Sequence, residues 1–167
     1  MATTEITRAT LEDAEAILAL QKLAYQCEAQ LYNDYSLPPL TETLAALRQE
    51  FGRSVFLKAV GDGAICGAVR ARSSDGTCFI GRLIVHPAWR RQGIATRLMH
   101  EIESCFADMN RYELFTGNKS RGNLRLYEGL GYRVFKEEQP MQGPGLVFLE
   151  KRRRASQPLG AAGSPLQ

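Results

Sequence analysis

The most informative stretch of the chain is RLIVHPAWRRQGIATRLM, residues 82–99. An apolar run through Val85 ends at a proline, and a short loop with two arginines and a glycine follows. An apolar stripe with helical spacing then begins at Ile94 and continues through Leu98 and Ile102. The stretch therefore predicts a strand, a basic loop and a helix in immediate succession.

Such a junction is suited to bind an anion. The N–H groups in the first turn of a helix lack internal partners and the helix dipole is positive there, so phosphate is favoured. Arg90 and Arg91 add charged donors, Gln92 adds a neutral donor, and Gly93 leaves the backbone open. Neither G-K-[ST] nor G-x-G-x-x-G is present, which excludes the two common nucleotide loops. The pattern suits a diphosphate, although by itself it also fits a solvated surface loop.

Composition restricts the class of protein. With 167 residues, 44% of them hydrophobic, the chain is large enough for one packed domain. The net charge of +3, from 21 basic and 18 acidic residues, is too small and too dispersed to indicate a nucleic-acid partner. No apolar run approaches the roughly 20 residues of a membrane span, and the first residues lack a secretion signal. We therefore expect no membrane association and a cytoplasmic location.

The cysteines do not indicate a metal site or a disulfide framework. They are widely spaced, form no C-x-x-C pair and lie in apolar segments, at Cys27, Cys66, Cys78 and Cys105. The sequence predicts four reduced cysteines in the core.

The N-terminal half predicts a strand, two helices and a meander of strands. Thr10 and Asp13 form a capping box that begins a helix ending near Tyr32. After a proline-containing loop, Thr41 is expected to cap a second helix. Three β-rich runs separated by GDG and SDG turns then predict an antiparallel meander that ends at His86.

The C-terminal half predicts a strand, a helix and two more strands. RYELFTG, residues 111–117, reads as a strand, Ser120 is placed to cap the next helix, and Gly131 is placed to end it. From Arg152 the chain contains few large apolar residues, so we expect a disordered tail at 152–167 after a folded domain at 1–151.

Three segments together resemble the GCN5-related N-acetyltransferase (GNAT) family. They are RLIVHPAWRRQGIATRLM (82–99), NLRLYEGLGYRVF (123–135) and LVFLEK (146–151). The resemblance implies an α+β fold, an α/β/α sandwich with about four helices. Its mixed, mostly antiparallel sheet is splayed between the fourth and fifth strands, and acetyl-coenzyme A lies in the gap.

The resemblance also implies which residues bind acetyl-coenzyme A. The pyrophosphate would lie on the amides of residues 91–95, and the pantetheine arm would pair with the main chain of the fourth strand. Ala95 stands where a second glycine is common in the family. Ser120 stands where many relatives have asparagine, and Asn123 is the alternative. The implied set is Leu83, Ile84, Val85, Arg90, Arg91, Gln92, Gly93, Ile94, Ala95, Ser120 and Asn123.

The chemistry implied is direct transfer of the acetyl group to a primary amine. Tyr127 matches the tyrosine that protonates the departing thiolate, although its spacing also fits a core aromatic. Backbone N–H groups near Ile84 and Val85 would polarise the thioester carbonyl. No metal is implied.

The general base is left open by the sequence. Phe79 and Phe115 occupy two positions that carry glutamate in some relatives. Glu28 and Glu113 are candidates, beside a water chain to bulk solvent. His86 precedes a proline and fits turn chemistry at least as well as catalysis.

The acceptor is a small-molecule amine or a peptide amine. Three tyrosines and two carboxylates at the first helix and the following loop suggest an aromatic site for a cation. They are Tyr25, Tyr32, Tyr35, Glu28 and Asp34, with Glu113 on the fifth strand as a further candidate for substrate binding. A non-catalytic acyl-coenzyme A sensor of the same fold is the alternative function, and we expect a monomer or a homodimer.

Overall fold

The computed structural model describes residues 3–153 of the chain. The last strand continues to Arg152, one residue beyond the predicted end of the folded domain. Most of the predicted tail, residues 154–167, lies outside the described residues.

Strands and helices follow the predicted order. The strands are β1 (Thr4–Arg8), β2 (Val55–Gly61), β3 (Ala64–Ser74), β4 (Thr77–Val85), β5 (Arg111–Gly117), β6 (Arg133–Glu138) and β7 (Leu146–Arg152). The helices are α1 (Ala14–Ala24), α2 (Gln26–Tyr32), α3 (Pro38–Thr41), α4 (Leu44–Glu50), α5 (Ile94–Cys105) and α6 (Arg121–Gly129).

All seven of these strands form one sheet, in the order β1-β2-β3-β4-β5-β7-β6. Neighbouring strands are antiparallel throughout, except that β4 and β5 are parallel. The meander of β2, β3 and β4 turns at Asp62–Gly63 and Asp75–Gly76, all four with positive φ as hairpin turns require. The predicted mixed, mostly antiparallel sheet is therefore confirmed.

The sheet is splayed between β4 and β5. The two strands pair only where Thr77, Cys78 and Phe79 meet Arg111, Tyr112 and Glu113. Beyond Phe79 the strands diverge, so the backbone of β4 has no strand partner on its β5 side. The splay expected from the family resemblance is confirmed, and it leaves an unpaired edge in the middle of the sheet.

Helices cover both faces of the sheet and give the predicted three layers. On one face, α5 and α6 enclose a core that includes Leu98, Met99, Ile102 and Tyr127. On the other, α1 and α4 enclose a second core around Ile17 and Phe56.

The helical segment before β2 differs from the prediction in two ways. The single helix expected to reach Tyr32 is divided at Tyr25, whose backbone leaves the helical region (φ −82°, ψ 0°). The expected loop contains α3, which begins with Pro38 at its first position, where proline is favoured. Because α3 includes Thr41, the cap of the next helix is Thr43, which accepts the Ala46 N–H at 3.1 Å.

The prediction of four core cysteines is wrong for two of them. Cys66 and Cys78 are buried, but Cys27 and Cys105 are exposed, and all four are free thiols. Both exposed cysteines lie on amphipathic helices, where a shift of one position moves a residue from the buried to the solvent face.

Candidate active site

A cleft of about 480 Å³ opens where β4 and β5 diverge. Its walls come from α1, α2, the end of β4, the loop after it, and the first turns of α5 and α6. The lining residues are Ala24, Tyr25, Cys27, Glu28, Leu83, Ile84, Val85, Trp89, Arg90, Arg91, Gly93, Ile94, Ala95, Thr96, Gly122, Asn123 and Leu126.

A β-bulge shapes the wall formed by β4. Ala68 pairs with Ile84 and Arg70 pairs with Gly81, so Arg82 and Leu83 together oppose a single residue of β3. Arg82 adopts a left-handed backbone (φ 52°), which arginine rarely does. The bulge reverses the alternation of side chains: Leu83 packs against the α5 core and Ile84 joins the α1 core. Residues 83–85 line the cleft, and their backbone has no strand partner on the β5 side.

The loop between β4 and α5 forms a cradle for an anion. Arg91 (φ 64°) and Gly93 (φ 80°) both have left-handed backbones, a conformation that turns successive N–H groups toward one side. The first i→i−4 bond of α5 runs from the Arg97 N–H to the Gly93 carbonyl, at 3.0 Å. The amides of residues 94–96 therefore have no acceptor within the helix, and a Cβ on Gly93 would meet no other atom within 4 Å.

Two residues hold the loop that leads into this cradle. The Nδ1 atom of His86 accepts the Ala88 N–H at 3.0 Å, so this histidine caps the turn formed by Pro87–Trp89. The Trp89 ring packs on Gly61 of β2, where an added Cβ would come within 2.6 Å of it. The geometry fits the turn interpretation of His86 and the packing role expected of Trp89.

Nine of the eleven residues that the resemblance implied for acetyl-coenzyme A line the cleft. Gln92 and Ser120 do not. Ser120 is 4% exposed, and its hydroxyl bonds to Glu28 and Tyr32 instead. Asn123 lines the cleft and donates to the Thr116 hydroxyl at 3.2 Å.

Tyr127 lies on α6, one turn after Asn123. Its side chain is only 7% exposed and meets the Tyr132 ring edge-on, with centroids 6.2 Å apart. Burial raises the pKa of Tyr127, and the nearby Tyr25 and Glu28 raise it further. The phenol is therefore fully protonated at neutral pH.

A chain of hydrogen bonds connects α2 to the start of α6. The Lys119 N–H donates to the Tyr32 hydroxyl at 2.8 Å, Tyr32 and Ser120 share a bond at 2.8 Å, and the Ser120 hydroxyl donates to Glu28 Oε1. Gly117 makes this contact possible, because a Cβ there would lie 2.0 Å from the Tyr32 oxygen. Because the helix is broken between α1 and α2, α2 can make this contact with the start of α6 while α1 packs on β3 and β4.

A partly buried charge cluster, which the sequence did not predict, lies near Tyr25 on the α1–α2 side of the cleft. Glu42, between α3 and α4, accepts from Gln21 at 2.8 Å and from Arg70 at 3.3 Å, and lies 3.5 Å from Arg82. Burial opposes the charge on Glu42, but the Gln21 donor and the two arginines outweigh it and hold its pKa below the usual value. The signal in the sequence was Arg82 inside an apolar strand, a position where a charge needs a partner.

Several residues considered from sequence are not part of the cleft lining, among them Tyr127, Tyr32, Glu113, Phe115 and Tyr35. Glu113 forms an ion pair with Arg111 at 2.7 Å, at the end of β5 that still pairs with β4. Phe115 is exposed and tilted against Phe148, with ring centroids 5.4 Å apart. Tyr35 is also exposed.

Within residues 3–153, no group of histidine, cysteine and carboxylate side chains is placed to hold a metal ion. The same residues include no helix with the length and apolar character needed to cross a membrane.

Known structures share this fold. The PaiA N-acetyltransferase of Thermoplasma acidophilum, in complex with coenzyme A, aligns with a TM-score of 0.75 and 17% identity over 90% of this chain and 99% of its own. The ribosomal-protein-S18-alanine N-acetyltransferase of Escherichia coli gives 0.76 and 14% over 94% and 99%. RimL, a ribosomal L7/L12 alpha-N-protein acetyltransferase in complex with coenzyme A, gives 0.69 and 12% over 90% and 94%. At these identities the likeness concerns the fold alone.

Sequence comparison identifies the family. Comparison with curated protein sequences finds no match. The profile of the acetyltransferase (GNAT) domain, however, matches residues 28–152, about three quarters of the chain. Since that match spans the splayed strands, the anion cradle and Tyr127, the chain belongs to the GNAT acetyltransferase family.

Proposed function

We propose that this protein is an N-acetyltransferase that moves an acetyl group from acetyl-coenzyme A to a primary amine by direct attack. The observation that carries the proposal is the cleft at the β4–β5 splay, which joins an unpaired strand edge to an anion cradle. Membership of the family supports acetyl-coenzyme A as the donor. Two of the similar structures are coenzyme A complexes.

The lining residues fit the parts of coenzyme A. The free amides at the start of α5, with Arg90 and Arg91, suit the pyrophosphate. The open edge at residues 83–85 suits an extended chain that carries amide groups, because it offers main-chain donors and acceptors without a strand partner. The N–H groups of Ile84 and Val85 are placed along the same edge to polarise a carbonyl.

Tyr127 is the proposed general acid. Its raised pKa keeps the phenol protonated at neutral pH, so a proton is present to donate to the sulfur as the C–S bond breaks and negative charge develops there. Burial next to the cleft limits exchange with bulk water. Tyr25 and Glu28 line the α1–α2 side of the cleft and are proposed to contact the amine.

The test is release of free thiol from acetyl-coenzyme A across a panel of amines. Small diamines, amino acids, and peptides with a free N-terminus or a lysine are each compared with their N-acetylated forms, which lack the nucleophile. We expect thiol release only with free amines, and a product heavier by one acetyl group in mass spectrometry. Binding of acetyl-coenzyme A by calorimetry without amine-dependent release would favour the sensor.

A further inference from the structure

Among the residues that line the cleft, Glu28 is the one with a carboxylate, and none is a histidine or a lysine. The other titratable groups of the lining are Tyr25, Cys27, Arg90 and Arg91. Tyr127 is not a lining residue, but Tyr25 and Glu28 are near enough to it to raise its pKa. An arginine cannot accept a proton at neutral pH, and a protonated phenol is an acid. Glu28 is therefore the group in this lining best suited to take a proton from an ammonium.

The hydrogen bonds around Glu28 run in one direction. The Lys119 N–H donates to the Tyr32 hydroxyl, and Tyr32 donates to Ser120, because the single hydroxyl hydrogen of Ser120 is used in its bond to Glu28. Ser120 in turn donates to Glu28 Oε1. Each hydroxyl is thus both donor and acceptor, an arrangement in which successive bonds polarise one another. The chain ends on one carboxylate oxygen and leaves Oε2 without a partner among residues 3–153.

The fold reserves space for this arrangement. Gly117 at the end of β5 lies against the Tyr32 hydroxyl, where any other residue would place a Cβ 2.0 Å from that oxygen. Ser120 immediately precedes α6 at the N-cap position, yet its side chain makes no capping bond and donates to Glu28 instead. Two local features, the glycine at the end of β5 and the absence of a side-chain cap at the start of α6, therefore both allow the hydrogen bonds that reach Glu28.

We infer that Glu28 is the general base of this enzyme, and that Ser120 and Tyr32 are positioning residues that hold it toward the cleft. The inference rests on the proposed acetyl transfer. Glu28 Oε2 takes one proton from the bound ammonium, the freed lone pair forms the C–N bond, and the C–S bond breaks. The nitrogen loses two protons in one turnover: Glu28 returns the first to solvent, and the second replaces the proton that Tyr127 gives to the sulfur.

The experiment compares Glu28→Gln with wild type, using the best amine of the panel across a range of pH. We expect kcat at neutral pH to fall on the order of 10²-fold, while KM for acetyl-coenzyme A stays unchanged. For wild type, kcat/KM for the amine is expected to be level below the pKa of the acceptor. In the variant it should rise with pH with a slope of one, because only amine that is already neutral in solution can react. Glu15→Gln, an exposed glutamate on α1, is the matched control.

Ser120→Ala tests the positioning role. Loss of a hydrogen bond to a charged group is expected to lower kcat roughly tenfold. The double variant Glu28→Gln with Ser120→Ala should be no slower than Glu28→Gln alone, because the serine acts only through the carboxylate. Ser104→Ala, whose hydroxyl bonds within its own helix to the His100 carbonyl, is the control.

The outcomes separate the inference from the proposed function. Amine-dependent thiol release by wild type, together with an unchanged kcat and pH profile in Glu28→Gln, would overturn the role of Glu28 and leave the acetyltransferase intact. Additive losses in the double variant would overturn the positioning role of Ser120. If wild type acetylates no amine while it binds acetyl-coenzyme A, the proposed function fails, and the inference fails with it.

Discussion

The two sides of the cleft are built in opposite ways. The side proposed to bind acetyl-coenzyme A, here called the donor side, is one continuous segment, residues 83–96, whose strand edge, loop and helix start present mainly backbone groups. The side proposed to receive the amine, here called the acceptor side, joins Glu28 and Tyr32 to Ser120, at separations of 92 and 88 residues. A site made of contiguous backbone tolerates most changes of side chain. One made of distant side chains depends on each of them and on the packing that brings them together.

The largest effect is expected at the charge cluster beside the acceptor side. Glu42→Ala leaves Arg70 and Arg82 partly buried without their shared carboxylate, so the free energy of unfolding should fall by about 3 kcal/mol. Urea unfolding followed by circular dichroism measures this. Glu138→Ala, which removes an exposed partner of Lys136, is the control and should change little.

The same cluster makes stability depend on pH. Because the pKa of Glu42 is lowered in the folded state, its contribution is fully present above the unfolded value of about 4.3 and is lost as the pH falls through the folded value. Wild type should therefore lose more stability than Glu42→Ala on acidification below about pH 4. Equal losses in the two proteins would argue against the role given to this cluster.

An intermediate effect is expected at Tyr127. Tyr127→Phe keeps the ring in the core and removes the proton donor, so kcat should fall on the order of 10²-fold with unchanged affinity for acetyl-coenzyme A. The rate is measured with the best acceptor where chemistry, not product release, is limiting. Wild-type turnover in this variant would leave Tyr127 as a packing residue only.

The smallest effect is expected on the donor side, at Gly93. Gly93→Val places a branched side chain at the anion cradle in a left-handed backbone, and should weaken acetyl-coenzyme A binding at least about tenfold, or 1.4 kcal/mol. Gly63→Val is the matched control, since Gly63 has φ 78° and an equally open Cβ position in the β2–β3 turn. Calorimetry showing equal affinity for the two folded variants would remove Gly93 from the binding site.

The donor side could be predicted from sequence because its signals are local. Apolar alternation through Val85, the glycine before α5 and the stripe from Ile94 each reflect backbone preference and burial over a few residues. The same holds for the meander, whose Asp-Gly turns favour left-handed backbone. The break at Tyr25 and the helix at Pro38–Thr41 are not predicted from the sequence, because no glycine or proline marks the break and the two prolines are equally typical of a loop.

What the sequence determined by itself was the order of the elements, the basic loop at the start of α5 and, through resemblance, the family. Only the tertiary structure decided that Arg82 pairs with Glu42, that Ser120 donates to Glu28 instead of capping its helix, and that Gly117 leaves space for the Tyr32 hydroxyl. Local preferences amount to tenths of a kcal/mol per residue, whereas leaving a buried polar or charged group unpaired costs several times more. The packing of the whole chain therefore decides where such side chains find their partners.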